Sequence, residues 1–260
     1  MRFGVIGYGN IGQLICKNLE SIGFLEDNIL NISNKTSSKL KSLNPKINTY
    51  DDNIGLVKNS DVIFISVKSP DFINVLKEIK PYLNKNSYIV HSSAGIRFED
   101  IEKVYGGEVS CVIPSIASWP DDCREKSGVS IFYHGKNTSN KNKQYIEDLF
   151  SKFSYVINCN NYDDLEALTV ATSCMPAFIS FVTSQFAKQL AKSSNLEYDD
   201  IYSYLNETNL ATASLLKKEV FSSDELISKV ATKNGITQKG LDYLDDNLPL
   251  LFSNLFDKLM

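Results

Sequence analysis

Through residue 158 or so, short β-branched runs alternate with helical stretches, the rhythm of a mostly parallel sheet covered by helices on both faces. The runs predict strands over residues 2–7, 28–33, 47–50, 61–67, 87–93, 108–114, 128–135 and 154–159. The fourth, "DVIFISV", is continuously apolar, as a strand buried on both faces should be. Past Cys159 this pattern ends and a helical one replaces it. Residues 163–192 predict one helix about 45 Å long, kinked at Pro176, with further helices near 198–219, 223–229, 237–246 and 249–259. The expected architecture is α/β: a doubly wound, mostly parallel sheet over 1–158, then an all-helical domain over 159–260.

The helix over 163–192 is apolar around much of its circumference, more than a helical domain of about 100 residues can bury. Either the first domain or a partner subunit must cover it, and the frequency of symmetric homo-oligomers favours a homodimer, with a higher oligomer left open. Its Ser, Thr and Gln content and flanking charges argue against a membrane span.

Composition narrows the ligand class. Hydrophobic residues make up 43% and charged residues 22% of the 260, ordinary globular usage. A net charge of -4 gives no basic face for nucleic acid, so a small molecule is the expected partner. Cys16, Cys111, Cys123, Cys159 and Cys174 stand singly, without a C-x-x-C pair, which predicts no metal site and a reducing, cytoplasmic setting. The start "MRFGVIGYG" lacks the features of a signal peptide. His91 and His134 each lack a second ligand type nearby and are read as structural.

The strongest chemical signal is "GVIGYGNIGQLI", which sets Gly7, Gly9 and Gly12 in G-x-G-x-x-G spacing between a strand and a helix. The first glycine permits the tight turn, the second lets a pyrophosphate approach the backbone, and the third lets helix and strand pack closely. The opening amides at Asn10, Ile11 and Gly12 would face the phosphates, where free N–H groups and the helix dipole favour anions. This predicts a Rossmann-type dinucleotide site. NAD-binding sites of this kind place an Asp or Glu at the end of the second strand; here Ser33, Asn34, Lys35 and Thr36 stand there. Hydroxyls, an amide and a cation suit a 2'-phosphate, so NADP(H) is expected ahead of NAD(H), the alternative for Lys35 being a solvated loop charge. Strands four and five end in Val67-Lys68 and Ala94-Gly95 at the carboxyl edge of the sheet, where small residues let a nicotinamide ribose lie against backbone and Lys68 reads equally as a donor to that ribose or a solvated charge.

Together, the glycine fingerprint, Ser33-Asn34-Lys35-Thr36, Val67-Lys68-Ser69-Pro70, Ser93-Ala94-Gly95-Ile96, Met175-Pro176-Ala177-Phe178 and Gly235-Ile236-Thr237 resemble, in order and along the whole chain, the pyrroline-5-carboxylate reductase family. That resemblance implies reduction of a cyclic imine to proline with NADPH or NADH, and helical domains interlocked as a dimer. It places Met175, Pro176, Gly235, Ile236 and Thr237 against the substrate and makes Thr237 the catalytic hydroxyl. The kink reads Ser173-Cys174-Met175 where the family has Gly-Ser-Gly, the loop stem reads Thr232-Lys233-Asn234 where it has Ser-Pro-Gly, and a longer "SWPDDCREKSG" follows the sixth strand.

Imine reduction suits a histidine-poor chain, because a protonated C=N already accepts hydride and needs orientation and one hydrogen-bond partner for its nitrogen. From spacing alone the preferred reading of Thr237 is a helix N-cap, and only the family resemblance turns it into a catalytic hydroxyl. Three functions follow: the reductase itself, a paralogue acting on another cyclic imine or ketimine, and an inactive NADP-binding regulatory protein.

Overall fold

The computed structural model describes residues 1–121 and 126–259. Eight strands form one sheet: β1 (Arg2–Ile6), β2 (Ile29–Ser33), β3 (Asn48–Tyr50), β4 (Val62–Ile65), β5 (Tyr88–His91), β6 (Glu108–Pro114), β7 (Val129–His134) and β8 (Tyr155–Asn158). Their spatial order is β3-β2-β1-β4-β5-β6-β7-β8. All neighbours run parallel except β6 and β7, which pair antiparallel from Ser110↔His134 to Pro114↔Ser130. Each sequence-predicted strand is present, shortened by up to three residues.

Helices α1 (Asn10–Ser21), α2 (Asn53–Lys58), α3 (Ser69–Ile79), α4 (Phe98–Glu102) and α5 (Asn140–Ser151) fill the connections. Alternation along the strands gives the sheet two apolar faces. Phe3, Val5, Phe64, Val90 and Phe132 pack on one side with Ile15 and Leu19 of α1 and Phe150 of α5. Ile6, Ile63, Ile65 and Ile89 pack on the other with Phe72 and Leu76 of α3. Every residue of β4 is buried, as its unbroken apolar run requires.

The chain forms two compact units, Met1–Pro176 and Ala177–Met260. The first unit runs past the last strand because α6 (Tyr162–Thr169) packs on the sheet: Leu165 joins a core cluster with Cys111, Ile113, Ile131 and Cys159. The helix from Tyr162 to Lys192 is continuous, as expected, but its irregularity is a π-helical turn over Val170–Cys174 ahead of α7 (Met175–Lys192). Pro176 has no N–H for the carbonyl of Thr172 four residues back, and widening the preceding turn makes room for its ring.

The second unit holds most of α7 with α8 (Tyr198–Lys217), α9 (Ser223–Val230) and α10 (Ile236–Leu259). Ser222 and Glu225 form a reciprocal cap on α9. The two helices expected over 237–246 and 249–259 are one: Pro249 lies inside α10 on an exposed stretch, where water can serve the carbonyl it leaves unpaired. Among the described residues of this unit only Thr183, Ala187 and Ile201 are buried, while Phe181, Val182 and Phe186 stay 65%, 64% and 57% exposed. The unit leaves most of its apolar surface uncovered.

Candidate active site

The sheet's strand order reverses between β1 and β4, and the carboxyl ends of the strands there carry the candidate dinucleotide residues. Gly7 has φ +95, a conformation that L side chains rarely adopt, and a side chain there would meet the Ser66 carbonyl oxygen at 3.1 Å. A Cβ on Gly12 would collide with the carbonyl oxygen of Gly7. At Gly9 a Cβ would meet nothing within 4 Å. The three glycines therefore do three different things: turn, open approach and close packing. Gly9 stands at the N-cap of α1 with no side-chain cap, so the amides of Asn10, Ile11 and Gly12 face the open space beside it. A pyrophosphate fits that cradle.

The end of β2 is more divided than its sequence suggests. Ser33 is 1% exposed and its hydroxyl donates to Asn53 Oδ1 at 2.8 Å, so it is engaged inside the fold. Asn34 Oδ1 accepts the Tyr8 N–H at 2.9 Å, and Asn34 Nδ2 donates to the Thr36 carbonyl at 2.9 Å. Lys35 and Thr36 are exposed and free to meet a ligand. An open groove of about 730 Å³ is lined by Tyr8, Gln13, Lys17, Lys39 and Leu43, with one carboxylate, Glu20. Burial pushes the Tyr8 phenol up to about 12, so it stays a neutral hydrogen-bonding group.

Val67 is half-buried and Lys68 exposed after β4; Ala94 and Gly95 are exposed after β5, with Gly95 at φ +80 and open space around it. Serine hydroxyls lock these loops. Ser66 Oγ donates to the Gly7 carbonyl at 2.7 Å, Ser69 Oγ to Ala94 O at 2.8 Å, and Ser93 Oγ to Val67 O at 3.4 Å. Sequence reasoning missed these three. Their signal was the serine-rich ends "ISVKSP" and "HSSAG", where small hydroxyls replace the backbone pairing lost past a strand end.

Met175, 45% exposed, and Pro176 lie on the first turn of α7, at the end of the first unit. Gly235, Ile236 and Thr237 lie in the second. Gly235 caps α10, its carbonyl accepting the Lys239 N–H at 3.2 Å, and a Cβ there would come within 2.9 Å of Thr232 O. The left-handed residue of the turn is Asn234, φ 63, so Gly235 is needed for room and not for its conformation. Ile236 is 90% exposed. Thr237 is the second residue of α10 and not its cap, and its half-buried side chain makes no hydrogen bond among the described residues.

Neither histidine joins the glycine cradle: His134 is hydrogen-bonded and His91 is packed among rings. Tyr88 donates to Ser110 Oγ at 2.7 Å, Ser110 Oγ lies 2.6 Å from His134 Nδ1, and His134 Nε2 lies 2.9 Å from Glu147. His91 is fully buried beside Phe72, and desolvation lowers its pKa to about 3. Among the described residues no group of three or more His, Cys, Asp or Glu could hold a metal. Cys16, Cys111, Cys159 and Cys174 are free; Cys123, with the rest of residues 122–125 in the segment after Pro120, lies outside the described residues.

Comparison with known proteins decides the family. Residues 2–95 match the family model "NADP oxidoreductase coenzyme F420-dependent", and residues 163–258 match "Pyrroline-5-carboxylate reductase dimerisation". A pyrroline-5-carboxylate reductase of Methanobrevibacter smithii is 47% identical over 250 residues, 94% of this chain and 97% of that one. The chain belongs to the pyrroline-5-carboxylate reductase family. The fold agrees with solved members. The Streptococcus pyogenes 1-pyrroline-5-carboxylate reductase superposes with a TM-score of 0.83 at 21% identity, covering 100% of this chain and 96% of that one. The Plasmodium falciparum pyrroline carboxylate reductase crystallised with NADP bound gives 0.81 at 20% identity, over 97% and 92%. Family membership and the dimerisation match support a homodimer built through the helical region.

Proposed function

We propose that this chain reduces 1-pyrroline-5-carboxylate to L-proline with NADPH, as a homodimer in the cytoplasm. The observation that carries the reading is the 47% identity to a pyrroline-5-carboxylate reductase across nearly the full length of both chains. The uncovered glycine cradle supports a dinucleotide, and the exposed Lys35, Thr36 and Lys39 without a carboxylate among them support a 2'-phosphate.

NADPH, when bound, supplies the hydride. The residues of this chain do the rest. Gly9 and the amides of Asn10, Ile11 and Gly12 hold the pyrophosphate; Val67, Lys68, Ala94 and Gly95 form the shelf for the nicotinamide ribose. Ser66, Ser69 and Ser93 keep that shelf rigid. Met175 and Pro176 bound the imine ring. The amides of Ile236 and Thr237 at the start of α10 offer donors to the substrate carboxylate, and the Thr237 hydroxyl offers a hydrogen-bond partner to the ring nitrogen as it becomes an amine.

The functional boundary stays near residue 158, after the last strand, a placement supported by the dimerisation match beginning at 163. The helix Tyr162–Lys192 is long and apolar enough to cross a membrane, and little of its apolar stretch is buried. We read it as an interface helix instead, because that same stretch falls within the dimerisation match. The free cysteines support a reducing compartment.

The test is a panel of cyclic imines with purified protein and NADPH or NADH, followed by cofactor absorbance. Turnover of 1-pyrroline-5-carboxylate with NADPH preferred is expected. Turnover of a different imine alone would assign a paralogous activity, and binding without turnover would assign a regulatory role.

A further inference from the structure

A line of buried hydrogen bonds joins the dinucleotide helix to the π-helical turn before Pro176. It begins on α1, where Asn18 Nδ2 donates to Leu14 O at 3.0 Å and to Ser118 O at 2.9 Å. Ser118 Oγ donates to Ser115 O at 2.7 Å. Ser115 Oγ, in turn, donates to the carbonyl of Thr172 at 2.7 Å. Asn18, Ser115 and Ser118 are each 1% exposed, so water does not compete for these bonds.

The last bond falls on a particular atom. Thr172 O is the carbonyl that Pro176, four residues on, cannot serve with an N–H, and Thr172 lies inside the widened turn Val170–Cys174. A side chain from the β6 end thus donates to the carbonyl that Pro176 cannot serve. The turn's direction sets where Met175 and Pro176 stand, and the other end of the line rests on the helix whose first turn carries the glycine cradle.

We infer that Ser115 is a positioning residue for imine reduction: its hydroxyl pins the π-turn at Thr172 and so fixes the substrate-side kink relative to the dinucleotide helix. The inference rests on the reading of Met175 and Pro176 as substrate contacts. Ser115 touches neither substrate nor cofactor in this assignment. Removing its hydroxyl should loosen the kink and leave dinucleotide binding alone.

The full-length protein with Ser115→Ala and Ser115→Thr provides the test, read by steady-state kinetics, NADPH binding and amide hydrogen exchange. Ser115→Ala should keep wild-type NADPH affinity, lower kcat/KM for the imine by roughly 10- to 100-fold, as a misplaced reacting group does, and speed exchange over residues 168–180. Ser115→Thr, which keeps the donor, should recover most of both. Wild-type kinetics and exchange in Ser115→Ala would overturn the inference. So would an equal loss of NADPH binding and turnover, which marks a general defect of the fold. If the wild-type protein reduces no imine, the functional reading fails by itself, and exchange in the two variants still decides whether Ser115 pins the turn.

Discussion

Asn34 Oδ1 accepts the backbone N–H of Tyr8 at 2.9 Å, so the residue that follows β2 also holds the glycine loop that follows β1. Asn34→Asp keeps an acceptor for that N–H and introduces a negative charge where a 2'-phosphate is expected to lie. Coulomb repulsion at a half-exposed site of this kind is worth about 1.4 kcal/mol, tenfold in affinity. KM for NADPH should rise by about that factor while KM for NADH changes little. Parallel changes in the two constants, measured by initial rates, would remove Asn34 from the specificity argument.

Two glycines of the fingerprint should fail in different ways. Gly12→Ala drives a methyl into the Gly7 carbonyl, a clash against backbone that cannot be relieved cheaply. It should cost about 1–3 kcal/mol of stability and lower the melting temperature. Gly9→Ala meets open space, so the melting temperature should hold while the NADPH Kd rises, because the methyl occupies the ligand's approach. Thermal melts and NADPH titration of both variants check the contrast.

The sheet was legible in the sequence because its strands are short apolar runs with turn residues between them, and burial on both faces leaves no alternation to misread. The glycine loop was legible because only glycine meets its steric demands. Other features were opaque for a physical reason. Whether Ser33 faces ligand or core depends on which way one side chain points, and Asn53, twenty positions on, settles it by hydrogen bonding. The tie of the π-turn to the end of β6 runs from Ser115 to Thr172, a contact across 57 residues. Pro249 looked like a helix boundary, since proline removes one bond, but an exposed helix loses only that bond and continues.

Phe186 on α7 is 57% exposed, with Phe181 and Val182 more so. If this face is the homodimer interface, Phe186→Asp places a charge in it and should shift the protein toward monomer. Burying one unpaired carboxylate costs several kcal/mol, enough to raise the dimer dissociation constant by about 100-fold or more. Sedimentation velocity across a concentration series measures the shift. An unchanged dimer would place the interface on another face.

Thr237 carries the chemical proposal. It sits one residue inside α10, behind the cap at Gly235, so its hydroxyl does not serve the helix end. Thr237→Val preserves shape and removes the donor. Helix stability should change little, NADPH binding should hold, and kcat for the imine should fall on the order of 100-fold, the usual effect of deleting one positioned donor. Turnover equal to wild type would leave Thr237 without a catalytic role.

His91 should make stability depend on pH. It is fully buried against Phe72, neither ring nitrogen has a hydrogen-bond partner among the described residues, and desolvation lowers its pKa from 6.5 to about 3. Between those values the unfolded chain binds a proton at this residue and the folded chain does not, so stability is complete above about pH 6.5 and is lost as pH falls through the window. The slope approaches about 1.4 kcal/mol per pH unit for one proton. His91→Leu keeps an apolar group of similar size and removes the titration. Urea unfolding midpoints of the two proteins from pH 7 to pH 4.5 should diverge, with the wild type falling faster. His134, also lowered by burial, titrates in both and cancels in the difference. Parallel curves would show that His91 gains its proton without opening the fold.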